Sequence, residues 1–337
     1  MIPEGMVRTV LGDVAASDLG VTYMHEHLII DSPTVAVQWP HIHLPSAEDA
    51  TRELELCAAQ AVNTMVDAMP MASGRGPRRL AAASALSGVN VVMSTGLHTA
   101  KYYETLPWVE DASSQQLAAW FIADIEEGVD SADHLIGDDV ERTDHRAGII
   151  KVATSHDGMD ARSQRLFEAA AEAASTTGAP ILTHCEEGIG GMEQIKALTT
   201  AGVPLDRVVI SHTDKVEDSG YHRDLLETGV NLEFDQALRQ QEVAVDRTAR
   251  LLATQIEGGF IDQLMLGTDG ARRSLWTSLG GSPGLAWMAR GYRDVMVAAG
   301  ISPDQQDKLF VANPARLLAS RSRPAPLVND QEIDTES

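Results

Sequence analysis

Short runs of apolar, β-type residues alternate along the chain with longer segments in which the apolar positions recur at helical spacing. Segments such as residues 161–177 and 242–257 place Leu, Ala and Ile three or four positions apart and often end at Gly, as helices do. Regular alternation of strand and helix predicts parallel strands joined by helical crossovers. The eight runs that we predict as strands are residues 21–30, 63–69, 90–96, 148–154, 180–185, 207–212, 231–235 and 263–268.

The pattern of these strands favours a closed barrel. Several are apolar almost without interruption, for example Val208–Ile210 and Leu264–Leu266, which is typical of parallel strands that are covered by helices on one face and packed on the other. Eight such units predict an α/β fold of the (β/α)8, or TIM, barrel class. The alternative is an open, doubly wound sheet, but no Gly-rich phosphate loop opens a helix after the first strand.

The length of the chain fits one large domain. The sequence has 337 residues, and a barrel of this class takes about 250. No repeat or linker interrupts residues 1–320, so we expect a single domain there. Residues 321–337 combine Pro and acidic residues with few large apolar ones, and we expect a flexible tail.

Charge and hydropathy narrow the range of partners. Asp and Glu number 49 against 26 Lys and Arg, and the net charge of −23 would repel nucleic acid. No apolar stretch approaches the roughly 20 residues of a membrane span, and the first residues carry no secretory signal, so we expect a soluble, cytoplasmic protein. Cys57 and Cys185 are the two cysteines, and we expect buried free thiols. Because homodimers are the commonest soluble oligomers, a homodimer is our default expectation for the oligomeric state.

Potential metal ligands lie at or near the carboxyl ends of five predicted strands. His25 and His27 are two positions apart in a strand, so both imidazoles point to the same face. The carboxyl ends of barrel strands converge on one face, where the catalytic residues of this fold lie. The sequence therefore predicts a metal centre there. The other candidate ligands are Lys151, His184, His212 and Asp269.

A second His-x-His pair, His41 and His43, has the same spacing. Pro40 and Pro45 bracket it, and a central strand tolerates Pro poorly because Pro cannot donate to the ladder. We therefore do not expect this pair to bind metal.

Lys151 needs a separate explanation, because an ammonium group has no lone pair and would repel two cations. A buried lysine with a lowered pKa can react as the neutral amine with carbon dioxide, which gives an anionic carbamate whose two oxygens bridge the ions. The alternative is an unmodified Lys151 that pairs with a carboxylate such as Glu186.

The order His-x-His, Lys, His, His, Asp resembles the phosphotriesterase family of the amidohydrolase superfamily. The resemblance covers almost the whole chain, including residues 12–28, Ile-Ile-Lys-Val-Ala-Thr at 149–154 and Asn-Pro-Ala-Arg at 313–316. It implies a pair of ions. His25, His27 and Asp269 would bind the ion that is more deeply buried, His184 and His212 would bind the ion that is more exposed, and carbamylated Lys151 would bridge the two. Two divalent ions are expected, Zn first, although Mn, Co and Fe suit the same ligands.

The mechanism implied by this resemblance is metal-assisted hydrolysis. Two ions that share a water lower its pKa and polarise the carbonyl or phosphoryl oxygen of the substrate. Asp269 would accept the proton of the attacking water as a general base. Members of the family hydrolyse lactones, phosphotriesters and some carboxyl esters or amides, so the loops must decide the substrate.

The loops resemble those of sugar-lactone hydrolases in the family. The segment that starts at Gly96 has the form Gly-x-His-x-x-x-Tyr, which ends at Tyr102 and is followed by a second tyrosine, Tyr103. We expect His98 and Tyr103 to contact the substrate. Arg239 and Arg272 also match these lactonases, some of which act on phosphorylated furanose lactones, and are expected to bind an anionic group. Surface salt bridges are the alternative for both arginines. The phosphofuranose enzymes carry a Lys shortly after the position that corresponds to Arg239. This chain has Gln240 and Gln241 there instead.

We therefore interpret the sequence as a metal-dependent lactonase that acts on a small polar lactone, sugar-derived or anionic. The rival enzyme is a phosphotriester, carboxyl-ester or amide hydrolase on the same metal core. A catalytically silent, metal-stabilised binding protein is the alternative of another class, and the intact Asp269 and Lys151 argue against it.

Overall fold

The structure is a computed structural model that describes residues 2–135, 140–241 and 244–321. The strands are β1 (Met6–Thr9), β2 (Gly12–Ala15), β3 (Val21–Glu26), β4 (Val62–Asp67), β5 (Asn90–Gly96), β6 (Ala147–Thr154), β7 (Ile181–Cys185), β8 (Val208–Ile210), β9 (Asn231–Phe234) and β10 (Leu264–Leu266). The helices are α1 (Pro33–Gln38), α2 (Ala47–Ala58), α3 (Pro77–Ser87), α4 (Pro107–Asp111), α5 (Ser114–Glu126), α6 (Ala161–Thr177), α7 (Gly191–Thr200), α8 (Ser219–Leu226), α9 (Ala237–Gln240), α10 (Arg247–Glu257), α11 (Gly291–Ala298), α12 (Pro303–Asp307) and α13 (Asn313–Leu318).

The strands β3 to β10 form one parallel sheet in chain order, with helices between them. The sheet closes on itself because Thr268 and Asp269, just after β10, donate backbone N–H groups to the carbonyl oxygen of His25 in β3, at 3.2 and 3.0 Å. The predicted (β/α)8 barrel and its eight strands are thus confirmed.

The amino-terminal end of the barrel is plugged by a hairpin that the sequence pattern did not reveal. Strands β1 and β2 pair antiparallel, and Val7 packs against the barrel interior together with Leu317 and Leu318 of α13. Each hairpin strand is only four residues long and β2 is largely half-exposed, so neither gives a strong apolar signal. Interior side chains of the barrel itself are Met24, Val66, Val92, Ile149, Leu182, Val209 and Met265.

Above this apolar plug the inward-facing positions become polar. Side chains of a strand alternate between its two faces, so Lys151 follows Ile149 on β6 and His184 follows Leu182 on β7. On each of these two strands, the next inward-facing position after a core residue is thus a candidate ligand.

Strand β3 reaches the same result through an irregularity. Its pairing with β4 slips by one residue between Tyr23 and Glu26, and a bulge of this kind re-aims the side chains that follow it. Met24 points into the barrel, and His25 next to it also does so, whereas the carboxylate of Glu26 hydrogen-bonds to Thr268. The bulge therefore places the His-x-His pair on the inner face.

The predicted helix 161–177 is confirmed as α6. The Asp160 side chain accepts a hydrogen bond from the Ser163 N–H at 2.7 Å, and Gly178 ends the helix in the left-handed conformation. The helix predicted over 242–257 is observed as α10 from Arg247 onward, and residues 242 and 243 lie outside the described residues. Residues 322–337 of the predicted flexible tail also lie outside them.

Two further expectations concern the rest of the chain. Cys57 and Cys185 are buried free thiols, as expected. Within the described residues, no helix is both long enough and apolar enough to span a membrane.

Candidate metal centre

All six predicted ligands converge at the carboxyl end of the barrel. His25 is the second-last residue of β3 and His27 follows the strand, Lys151 lies inside β6, and His184 lies in β7. His212 and Asp269 follow β8 and β10 and have positive φ angles of 65° and 45°, which turn the chain sharply at both strand ends. Every one of these side chains is buried except that of His184, which is nearly so.

His25, His27 and Asp269 form the first group of ligands. Their ligating atoms all lie within 4.8 Å of one another, and Nε2 of His27 is 3.4 Å from Oδ1 of Asp269. This group matches the set that the family resemblance implies for the more buried ion.

His184 and His212 form the second group. Nδ1 of His184 lies 2.8 Å from Nε2 of His212, so the two nitrogens face the same point. Burial and the neighbouring His212 together lower the pKa of His184 to about 3, and burial also lowers the pKa of His212. Both rings are thus neutral near pH 7, which is the form that binds a metal ion.

Lys151 lies between these groups, with Nζ 3.2 Å from Nε2 of His25. Burial lowers the pKa of Lys151 to about 8. The pairing of Lys151 with Glu186, which the sequence left open, is not found, because Glu186 contacts the ammonium of Lys101 at 3.1 Å and His184 instead.

Three of the four histidines have a carboxylate at the ring nitrogen that points away from the centre. Because a carboxylate only accepts hydrogen bonds, the nitrogen that faces it carries the proton and the other nitrogen keeps its lone pair. This arrangement fits metal binding. The distances are 3.1 Å from Glu233 Oε2 to His25 Nδ1, 2.8 Å from Glu186 Oε2 to His184 Nε2 and 2.7 Å from Asp235 Oδ2 to His212 Nδ1.

Asp269 is held by a neighbouring cation. Nη2 of Arg239 lies 2.8 Å from Oδ2 of Asp269, and Nε of Arg239 donates to the Asp269 carbonyl oxygen at 3.0 Å. Burial alone would raise the pKa of Asp269, but Arg239 and the hydrogen bond with His27 lower it well below its usual range. The carboxylate is therefore anionic and oriented by two contacts.

A cleft of about 270 Å³ opens above the ligands. One wall is apolar and includes Ile30, Trp39, Ile42 and Met69. Four cationic side chains also line it, although the chain as a whole carries a net charge of −23. These are Lys101, Lys215, Arg239 and Arg272.

The residues expected to contact substrate lie at different depths. His98, Arg239 and Arg272 line the cleft. Tyr103 does not line it: the side chain is 1% exposed, its hydroxyl accepts the His98 N–H at 2.8 Å and donates to the Met71 carbonyl oxygen at 3.1 Å. Tyr103 thus supports the backbone of His98 from below.

The neighbouring Tyr102 occupies the cleft instead. Its ring lies between those of His98 and Trp39, with centroid distances of 4.4 and 5.0 Å. A short 3₁₀ turn, Ala100–Tyr102, decides which of the two adjacent tyrosines faces the cleft, and the sequence carries no signal for its direction.

The second His-x-His pair is not part of a barrel strand, as predicted. It lies at a 3₁₀ turn, Pro40–Ile42. His43 pairs with Asp31 at 2.8 Å, and His41 lies at the rim of the cleft.

Sequence reasoning missed several polar residues of the site. Glu186 was considered only as a partner of Lys151, and Lys215 was not considered. They come two and three residues after the ligands His184 and His212, so their position just beyond a strand end was a usable signal. Glu233 in β9 and Asp235 just after it alternate with the apolar Leu232 and Phe234, which marks an inward-facing polar row. The sequence position of Lys101 carried no such signal, because the 3₁₀ turn Ala100–Tyr102 brings its side chain to the cleft.

Known proteins resemble this chain over nearly its whole length. A model of the phosphotriesterase family matches residues 5–318. The phospho-furanose lactonase of Mycoplasmopsis synoviae is 30% identical over 322 residues, which are 93% of this chain and 91% of that protein. An amidohydrolase structure from Mycoplasma synoviae has a TM-score of 0.90 at 28% identity and covers 96% of this chain and 94% of its own. A lactonase structure from Listeria monocytogenes has a TM-score of 0.85 at 26% identity, covering 94% and 100%.

Proposed function

The chain belongs to the phosphotriesterase family, and on this premise we propose that it is a binuclear metal-dependent lactonase whose substrate is an anionic, sugar-derived lactone. One observation carries the proposal. The cleft that exposes His27, His184, His212 and Asp269 is also lined by four cations. A relative named phospho-furanose lactonase supports the same substrate class.

The ligands fit two divalent ions in the order that the family implies. His25, His27 and Asp269 would hold one ion, and His184 and His212 the other. When bound, the two ions would lower the pKa of a shared water and polarise the lactone carbonyl. Imidazole and carboxylate suit Zn, which we propose as the resident ion, and equally accept Mn, Co or Fe.

Lys151 would bridge the ions as a carbamate. The neutral amine attacks carbon dioxide, a nitrogen–carbon bond forms, one proton leaves to water, and the product carries one negative charge. Two observations support this step: Lys151 is 1% exposed with its Nζ 3.2 Å from Nε2 of His25, and no carboxylate of the described chain forms a salt bridge with it. Its lowered pKa of about 8 makes the neutral amine accessible near neutral pH.

Asp269 would take the proton of the attacking water. Oδ2 is held by Arg239 at 2.8 Å, whereas Oδ1 faces the ligand His27 at the longer distance of 3.4 Å, so Oδ1 is the oxygen that would accept the proton. The guanidinium of Arg239 keeps the carboxylate anionic before the attack and limits its rotation. Arg239 therefore positions the base as well as lining the cleft.

Lys215 and Arg272 are the cations available to an anionic substituent. Lys101 is engaged by Glu186 and Arg239 by Asp269, whereas Lys215 and Arg272 form no salt bridge within the described residues. Cations that line a cleft in an acidic protein focus the local field on an incoming anion. Phosphate and carboxylate substituents share this chemistry.

A substrate panel tests the proposal. It compares γ-lactones of one ring with a phosphate, a carboxylate or a neutral hydroxyl substituent, together with an aryl phosphotriester, an aryl ester and an anilide. We expect the highest kcat/KM for an anionic lactone. Faster hydrolysis of the phosphotriester, the aryl ester or the anilide would contradict the lactonase assignment, and no turnover of any substrate by metal-loaded protein would favour the binding protein.

A further inference from the structure

Glu233 is a buried carboxylate that the reaction itself does not use. It lies on the inner face of β9, is 0% exposed, and places Oε2 3.1 Å from Nδ1 of His25. Its other oxygen, Oε1, is buried and has no hydrogen-bond partner in the described part of the chain. An unsatisfied buried acceptor lowers the stability of a folded protein. We therefore expect Glu233 to have a function other than stabilising the fold.

The neighbouring strand end is shaped to admit this carboxylate. A Cβ atom on Gly267 would lie 2.3 Å from Oε1 of Glu233 and 2.7 Å from the backbone nitrogen of His25. Gly267 does not have a positive φ angle, so the glycine is required for space and not for backbone conformation. Glu233 and Gly267 thus form a matched pair directly behind His25.

We propose that Glu233 is the positioning residue that prepares His25 for metal binding: it accepts a hydrogen bond from Nδ1–H and fixes the ring so that the Nε2 lone pair faces the ion. The inference rests on the metal centre of the proposed function. Nε2 of His25 points toward Lys151, at 3.2 Å, and therefore into the centre.

A positioning role and a structural role of Glu233 predict different effects on metal affinity and on the stability of the metal-free protein. If Glu233 served the fold, its replacement would destabilise the protein with or without metal. Because its Oε1 is a buried acceptor without a partner in the described part of the chain, a replacement of Glu233 should leave the metal-free protein equally stable or more stable. The same replacement should weaken metal binding, since removing the partner of a ligating histidine typically costs 10- to 100-fold in affinity.

The experiment uses the full chain after chelation and dialysis, with Zn²⁺ as the probe. Dissociation constants are measured by competition with a chromophoric chelator, and the melting temperature is measured before and after metal addition. The variants are Glu233→Gln, which keeps the shape, and Glu233→Ala, which removes the group. The control is Glu53→Gln on α2, because Glu53 is also a buried carboxylate but accepts hydrogen bonds from the Ser278 and Leu285 backbone, at 2.8 and 2.9 Å.

We expect both Glu233 variants to bind Zn²⁺ about 10- to 100-fold more weakly while the metal-free melting temperature stays unchanged or rises, and Glu53→Gln to keep the wild-type affinity. Unchanged affinity in the Glu233 variants would overturn the inference. So would a fall in metal-free stability that accompanies the loss of affinity, because it would make Glu233 a structural residue. Wild-type protein that bound no Zn²⁺, Mn²⁺ or Co²⁺ would refute the proposed function itself, which distinguishes the two failures.

Discussion

Replacement of Arg272 by alanine should lower kcat/KM for an anionic lactone about tenfold and leave the value for a neutral lactone of the same ring nearly unchanged. Arg272 follows β10 on the loop after Asp269 and lines the cleft without a salt bridge among the described residues. The metals act on the scissile carbonyl whatever its substituents, whereas this guanidinium senses only the substituent. The substitution should therefore leave metal content intact.

The magnitude follows from the position of the side chain. A hydrogen bond to a charged group contributes about 1.5–3 kcal/mol, which corresponds to roughly 10- to 200-fold in kcat/KM. Arg272 is an exposed residue at the rim of the cleft, so solvent and salt screen its charge and the lower end of this range applies. Arg239 nearby lowers the pKa of Arg272, but the guanidinium stays protonated near pH 7.

The assay compares initial rates on the two lactones at low and high ionic strength, with metal content measured for every variant. Arg273→Ala is the matched control, because Arg273 is adjacent but does not line the cleft and donates to the His43 carbonyl oxygen at 2.9 Å. The anionic preference of the wild type should shrink as salt is added. Equal slowing of both lactones by Arg272→Ala, or an equal effect of Arg273→Ala, would refute this reasoning.

The remaining predictions concern the bridge and the barrel wall. Lys151→Ala should lose bound metal and activity together, and added short carboxylic acids should partly restore both, as metal analysis and rate assays with and without acetate would reveal; restored activity without metal would contradict the bridging role. Arg75 is fully buried between Asp124 and Asp133, each at 2.6 Å, so Arg75→Ala should lower the free energy of unfolding by about 3–5 kcal/mol in urea, against a small effect for the exposed Arg78→Ala. Although burial alone would raise the pKa of Asp124, Arg75 holds it at about 2, below the ordinary 3.8, so its contribution is present above pH 4 and should disappear as the pH falls toward 2; acid unfolding that is identical in Asp124→Asn would argue against it.

The barrel could be predicted from the sequence because the sequence shows both the helical period and the strand period of two. Helical spacing alternates with short apolar runs, and the period of two within the runs leads from Leu182 to His184 and from Ile149 to Lys151. Strand ends of a barrel converge, so the ligands could be grouped without knowing any distance.

What the sequence did not reveal depends on local geometry. The bulge that turns His25 inward arises from a slip against β4, and no residue type marks it. The choice between Tyr102 and Tyr103 depends on the direction of one 3₁₀ turn. The carboxylates behind the histidines, such as Glu233 and Asp235, were visible as polar residues that alternate with apolar ones. Their partners, however, come from other strands, and His25 is more than 200 residues away from Glu233.

The count of bound ions in active protein tests the central claim most directly. The protein is purified without added chelator, its metals are quantified by mass spectrometry, and hydrolysis of the anionic lactone is followed during chelation and metal restoration. We expect two divalent ions per chain, loss of activity as they are removed, and recovery when they are returned. Active protein that contains no divalent metal, or undiminished activity after complete removal, would contradict the account.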